Sequence, residues 1–267
     1  MSHTHAHIHK HQTMPPPSNP FHPALLLVDL QEDFVPPGSL SVSSGRSTIP
    51  PILHLLSLPF PLKVFTKDSH PPDHISFASN HPTPDNIPFE SFVTISNPKN
   101  PAEKIKTRLW PVHCVRGTPG WEFIAEIKSW LEQWEEKEED ESAAAAVVVV
   151  VEKGQDPRIE MYSAFQDPFD GTIATGTPSI EAVFREKGVT DVFVVGLAGD
   201  YCVKESVIHS GLKGFRTWVV REGVASVDES DDGWGQAKKA MEAVGNGIVK
   251  LVGIDGPEVG WVKDITR

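Results

Sequence analysis

The strongest constraint on this chain is a set of nearly unbroken apolar runs, each ending at charged residues. They are PALLLVD (23–29), PLKVFTKD (61–68), AAAAVVVVVEKG (143–154) and DVFVVGLAGD (191–200). A strand with one wet face alternates apolar and polar residues. A strand covered on both faces reads as a continuous apolar run, which is the habit of parallel sheets. None of these runs is long enough to span a bilayer. FRTWVV (215–220) and GIVKLV (247–252) read as two further strands.

Helical patterns separate the runs. Residues 49–58 and 121–134 read as helices. Thr177 is an N-cap, with Pro178 at the first helical position, Gly188 past the end, and an apolar face of Ile180, Val183 and Phe184. Residues 228–244 are helical, with Ala237, Ala240, Met241 and Val244 at helical spacing. Strands alternating with helices predict an α/β fold of three layers, α/β/α, around a mostly parallel sheet of about six strands.

A chain of 267 residues, 39% of them hydrophobic, suits one such domain, expected over residues 23–267. Residues 1–22 carry His3, His5, His7, His9 and His11, then Pro15, Pro16 and Pro17, and read as a disordered, solvated tail. The acidic stretch near 132–142 reads as a surface insert. Residues 69–120 are rich in Pro and Asn and read as a long functional loop. A net charge of −12 without clustered Lys or Arg argues against nucleic acid and anionic membrane as partners. Cys114 and Cys202 make no disulfide framework, and the start of the chain lacks a signal-like apolar segment. An intracellular location, cytoplasmic or nuclear, is expected.

Cys202 sits where a strand breaks at Gly196 and Gly199 and a helix with Val203, Val207 and Ile208 begins. A thiol there meets unpaired N–H groups and the positive end of the helix dipole, which favour thiolate. In a parallel sheet all carboxyl ends share one edge, so Asp29, Asp68 and Lys153 are expected beside Cys202. Asp68 and His70 are two apart in an extended chain and face the same side. With His113 of LWPVHCV they suit a divalent ion such as Zn²⁺. His54, His74 and His81 are competing ligands that spacing leaves open.

The blocks LLLVDLQEDFVPPGSL, VFTKDSHPPDHISFASNH, LWPVHCV, VEKG, MYSAF and GLAGDYCVKES occur in this order. Together they resemble the nicotinamidase group of the isochorismatase-like cysteine hydrolases, its fungal and yeast members above all. The similarity runs from about residue 23 to about residue 252. It implies hydrolysis of nicotinamide to the acid and ammonia through a cysteine thioester, within NAD salvage, with pyrazinamide as a candidate second substrate. By that resemblance Cys202 is the nucleophile, Asp29 the proton carrier and Lys153 its charged partner. Asp68, His70 and His113 hold Zn²⁺ or a related ion, which orients the pyridine. Phe34, Trp110, Tyr162 and Tyr201 enclose the ring, and the N–H groups of Ala198 and Cys202 form the oxyanion hole. A cis bond at Leu197–Ala198 is implied as well. Glu160 falls near the pocket, within reach of water on the metal. Gly199 departs from the larger residue usual in relatives, and Cys114 receives no role. The alternatives are a hydrolase of the same fold acting on isochorismate, N-carbamoyl compounds or ureidoacrylate, and an inactive relative that only binds. Homo-oligomerisation is left open.

Overall fold

The structure is a computed structural model, and it describes residues 20–138, 146–169 and 179–265. Its centre is a six-stranded, wholly parallel sheet in the order β5-β2-β1-β6-β7-β8. The strands are β1 (Pro23–Val28), β2 (Leu62–Asp68), β5 (Val147–Lys153), β6 (Asp191–Leu197), β7 (Arg216–Ala225) and β8 (Val249–Val252). β3 (Phe92–Asn97) and β4 (Asn100–Arg108) form a separate antiparallel hairpin.

The runs of β1, β2 and β6 are buried throughout as their composition requires, whereas β5, at the sheet edge, leaves Val147 and Val150 exposed. β1 lies between β2 and β6 and is buried along its whole length. Its side chains divide between the two faces. Leu25 and Leu27 pack with Ile52 of α1 (Ile49–Ser57), Ile127 of α2 (Ala125–Glu138) and Val259 of α6 (Pro257–Lys263). Ala24, Leu26 and Val28 pack with Phe184 of α3 (Ile180–Glu186), Val207 of α4 (Lys204–Leu212) and Met241 of α5 (Gln236–Glu242). This is the three-layer fold expected from the sequence. Each fully buried Leu, Val or Phe of these faces contributes about 1.5–3 kcal/mol by leaving water.

Several boundaries differ from the sequence reading. The helix expected over 121–134 runs from Ala125 to Glu138, because Pro119–Trp121 forms a 3₁₀ turn. There the Trp121 ring lies 3.1 Å from the Lys67 ammonium, a cation–π contact that takes this tryptophan out of the helix. The acidic stretch therefore begins as a continuation of α2, and residues 139–145 lie outside the described residues. α3 is capped by Ser179, whose hydroxyl accepts from the Ala182 N–H. Thr177 and Pro178 lie outside the described residues, as do residues 1–19 of the tail. The segment 69–120 is not a plain loop, since it contains the β3–β4 hairpin. The stretch 228–244 opens with a π-type turn at Asp231–Gly235, and α5 occupies only Gln236–Glu242.

Candidate active site

The site lies at the carboxyl edge of the sheet, where β1, β2, β5 and β6 end side by side. Asp29 follows β1 in a left-handed backbone conformation (φ 51°). Its side chain is completely buried. The Thr66 hydroxyl donates to its Oδ1 (2.6 Å), and the Lys153 ammonium lies 2.9 Å from Oδ2. The same ammonium lies 3.0 Å from Asp68 Oδ1, 3.5 Å from Cys202 Sγ and 3.2 Å from the Met161 carbonyl. One buried cation thus joins both acids and the thiol. Removing such a charge from water is expensive unless it is fully partnered, and Lys153 is.

Electrostatics follow from this packing. Although burial alone would lower Lys153, the carboxylates of Asp29 and Asp68 hold it well above its ordinary value. Burial raises Asp29, against the opposing pull of Lys153. For Asp68, burial acts upward but is outweighed by His70 and Lys153, which hold the carboxyl well below its usual range. Burial also pushes the Cys202 thiol well above its ordinary value; Lys153 opposes the rise, and Asp29 and Asp68 add to it. The fall expected from a helix N-terminus is therefore outweighed. Cys202 sits inside a π-type turn, Gly199–Val203, that leads into α4.

That turn has a specific cause. Gly196 has φ 140°, and a Cβ there would stand 2.2 Å from the Val28 carbonyl oxygen, so only glycine lets β6 end against β1. Ala198 then takes a left-handed conformation (φ 56°), and its carbonyl accepts from the N–H groups of Tyr201 and Val203. The cis bond expected at Leu197–Ala198 is absent. The cis bonds among the described residues are Pro36–Pro37 and Thr83–Pro84, and the left-handed Ala198 makes the turn instead.

Beside the thiol is a second cluster. His70 Nε2 lies 3.0 Å and His113 Nε2 3.4 Å from Asp68 Oδ2. Each ring bonds a backbone carbonyl through Nδ1, His70 to Gly154 and His113 to Pro111, both at 2.8 Å. A carbonyl only accepts, so Nδ1 carries a proton in each ring, and each Nε2 is left to face Asp68 Oδ2 or an ion at the same point. Burial would lower His70, but Asp68 raises it to about 9. Donors around a divalent ion at about 2.1 Å stand roughly 3.0–3.4 Å apart, so the spacing suits a metal. His70 Nε2 also lacks a hydrogen-bond partner although it is buried. The three residues form a candidate metal site.

Of the competing histidines, His74 forms with His70 and Glu160 a second group whose ligand atoms converge, although both its nitrogens have partners of their own. His74 bonds Ser76 and the Ile159 carbonyl through its two nitrogens, and burial beside His70 lowers it to about 2. His81 bonds the Ile75 carbonyl, and His54 is exposed on α1. Glu160 is buried near His70 and His74, with Oε2 unpartnered. Cys114 is fully buried, and its N–H donates to Asp33 Oδ2 at 2.7 Å.

The aromatic residues form a wall. Trp110 packs edge-on to Tyr201 with centroids 4.8 Å apart, and its Nε1 donates to the Tyr162 hydroxyl at 3.0 Å. Tyr162 and Tyr201 are 5.4 Å apart, and Phe34 lies against His113 at 5.7 Å. Two positioning side chains escape a reading of the sequence alone, Gln31 and Thr66. Gln31 Nε2 donates to the Asp68 carbonyl (2.8 Å), while Gln31 Oε1 accepts from the Asp68 N–H (2.7 Å). Thr66 fixes Asp29 through its hydroxyl. Thr66 stands two residues before Asp68 on β2, a spacing that points both to the same side of the strand, whereas Gln31 follows Asp29 across a turn closed by its N–H on the Asp29 carbonyl.

Comparison with known proteins agrees with this geometry. The Isochorismatase domain profile matches residues 23–250. A nicotinamidase of Schizosaccharomyces pombe is 35% identical over 210 residues, covering 76% of this chain and 83% of the relative. The crystal structure of the yeast nicotinamidase bound to the inhibitor nicotinaldehyde superposes with a TM-score of 0.73 at 29% identity, covering 86% of this chain and 99% of that one. The pyrazinamidase of Pyrococcus horikoshii in complex with zinc gives a TM-score of 0.58 at 27% identity, over 87% and 99% of the two chains. The chain belongs to the isochorismatase domain family and, within it, to the nicotinamidases.

Proposed function

We propose that this chain hydrolyses nicotinamide to nicotinate and ammonia through a thioester on Cys202, as a step of NAD salvage. The observation that carries the reading is the single ammonium of Lys153, within 3.5 Å of the thiol and at 2.9 and 3.0 Å from the two acids. It couples a nucleophile, a base and a metal cluster in one buried network.

Each residue of the network has its own task. Burial raises both the Cys202 thiol and the Asp29 carboxyl, so the thiol holds its proton at rest and a basic carboxylate stands ready to take it. As sulfur attacks the carboxamide carbon, the thiol proton passes to Asp29. The N–H groups of Ala198 and Cys202 donate to the developing oxyanion, a role worth about 3–4 kcal/mol per donor in comparable sites. Asp29 then gives the proton to the departing amine, and the C–N bond breaks to leave a thioester and ammonia. In the second half, Asp29 takes a proton from water as the water oxygen bonds to the carbonyl carbon; the C–S bond then breaks, and Asp29 returns that proton to sulfur, restoring the thiol and its own charge. Lys153 keeps Asp29 oriented and compensates its charge.

Asp68, His70 and His113 would hold a divalent ion, zinc by the donor set, which supplies a Lewis acid for the pyridine nitrogen. Phe34, Trp110, Tyr162 and Tyr201 would enclose the ring, and Glu160 lines the same side with a free acceptor. The inhibitor complex and the zinc complex of the two relatives support this assignment. The composition fits a reducing compartment, cytoplasmic or nuclear. Among the described residues no helix is long and apolar enough to cross a membrane.

The test is ammonia release from nicotinamide, pyrazinamide and N-carbamoyl amides by the wild type and by Cys202→Ala. Turnover of the pyridine or pyrazine carboxamides alone, lost by at least ~10³-fold in the variant, is expected from removal of the nucleophile. Retained turnover in Cys202→Ala, or a preference for the carbamoyl amides, would overturn the reading.

A further inference from the structure

His113 reaches the metal cluster from a stretch of chain that lies outside the helices and strands. The backbone on either side of it is held by side chains of one loop, the loop that follows β1. Asp33 Oδ2 accepts from the Cys114 N–H at 2.7 Å, one residue after His113. The Ser39 hydroxyl donates to the Val112 carbonyl at 2.7 Å, one residue before it. The two arms of this clamp are joined to each other. Asp33 Oδ1 accepts from the Ser39 N–H at 3.3 Å, and the Asp33 carbonyl accepts from the Leu40 N–H at 3.1 Å. Phe34 of the same loop packs edge-on to the His113 ring. On its far side the Cys114 carbonyl accepts from the His70 N–H at 3.0 Å. The Cys114 backbone therefore links Asp33 to both histidines of the cluster.

We propose that Asp33 is a positioning residue of the metal site: by holding the Cys114 N–H it fixes the turn after His113 and aims that imidazole at the point shared with Asp68 and His70. The inference rests on the metal-binding reading of those three residues. Asp33 acts through His113 and touches no reacting atom. Cys114 needs the hold, because its backbone is left-handed (φ 45°), a region that residues with a Cβ enter at a cost. Asn and Asp settle there through a local side-chain bond, which a cysteine does not make. An acceptor from outside the turn takes over that part. Without it Cys114 relaxes toward an ordinary φ, and His113 turns with the chain. The acid is itself boxed in, since a Cβ at Gly120 would run into Asp33 Oδ2. Groups that orient a metal ligand from behind govern affinity by fixing where its lone pair points.

Asp33→Ala and Asp33→Asn of the full chain, stripped of metal and titrated with Co²⁺, provide the test. Cobalt stands in for zinc, and its visible absorption reports the donors around it. His113→Ala keeps the histidines of residues 3–11 and supplies the background to subtract. Asp33→Ala should weaken cobalt binding about tenfold and alter the visible band, with the far-ultraviolet circular dichroism unchanged. Asp33→Asn keeps an oxygen for the Cys114 N–H, so it should stay within about threefold of the wild type and show the wild-type band. If Asp33→Ala does not fold, Ser39→Ala at the exposed arm of the clamp takes its place, with a loss of about threefold expected. Wild-type affinity and band in the alanine variant would overturn the proposal. So would an Asp33→Asn protein as weak as Asp33→Ala, because the bond to Cys114 would then not be what matters. A wild type that binds cobalt no better than His113→Ala would overturn the metal reading itself. A wild type that binds, beside an Asp33→Ala protein that binds equally well, would overturn the role of Asp33 alone.

Discussion

Thr66 shows how a single hydroxyl can tune this site. It is fully buried on β2 and donates to Asp29 Oδ1 at 2.6 Å, in favour of the charged carboxylate. Burial raises Asp29, while Lys153 and the Thr66 bond resist the rise. Attack by Cys202 needs Asp29 ionised, so activity falls as pH drops through its pKa. The acid limb of kcat/KM should therefore lie above the ordinary aspartate value of about 3.9. Thr66→Val removes one neutral hydrogen bond to the anion and should move that limb upward by about 0.5–1 unit, as a bond of ~1 kcal/mol implies. A limb that stays in place in the variant would sink the assignment of Asp29 as base. Asp29, Asp68 and Lys153 were legible in the sequence, because a charge at the end of a buried apolar run is costly unless it is paired or used, and Cys202 was legible from its place where a strand breaks and a helix begins. Thr66 and Gln31 were not, because polar side chains of their kind are common and their targets appear only when β1 and β2 pair.

At the scale of elements, strands that are continuous apolar runs were readable, the partly exposed edge strand β5 included, and the polar hairpin strands were not. β1, β2 and β6 announce themselves as apolar runs. The hairpin strands β3 and β4 are mostly exposed, so they carry no apolar period and read as loop. The end of β5 shows what an element must do to build a site. Gly154 follows it with φ 73°, and its carbonyl accepts from His70 Nδ1. A Cβ at Gly154 would stand 2.6 Å from His70 Cε1 and 3.0 Å from Asp68 Oδ1. Gly154→Ala must therefore displace both proposed ligands as well as strain its own backbone by ~1–2 kcal/mol. Metal content measured on the purified variant should fall at least by half, with the far-ultraviolet circular dichroism unchanged. Full metal content in a folded Gly154→Ala protein would count against Asp68 and His70 as ligands.

At the scale of the whole molecule, the proposed ion works as a crosslink. Asp68 and His70 leave the end of β2, and His113 arrives on the chain that returns from the β3–β4 hairpin. A metal held by all three ties that excursion to the sheet edge. The same three side chains converge only in the folded chain, so the ion binds the native state and not the unfolded one. Binding of that kind stabilises by RT ln(1 + [L]/Kd), about 2.7 kcal/mol when the free ion is at 100 times its Kd. For a domain of this length roughly 2 °C of Tm accompanies each kcal/mol, so chelation should lower Tm on the order of 5 °C, and added zinc should restore it. The shift should vanish in His113→Ala, which starts from the lower Tm and lacks the third ligand. Equal Tm values with and without chelator in the wild type would mean that the cluster holds no ion in the folded chain. A chelator shift that persists in His113→Ala would move the ion to other residues, and the pairing of His113 with Asp68 would then be a hydrogen bond and nothing more.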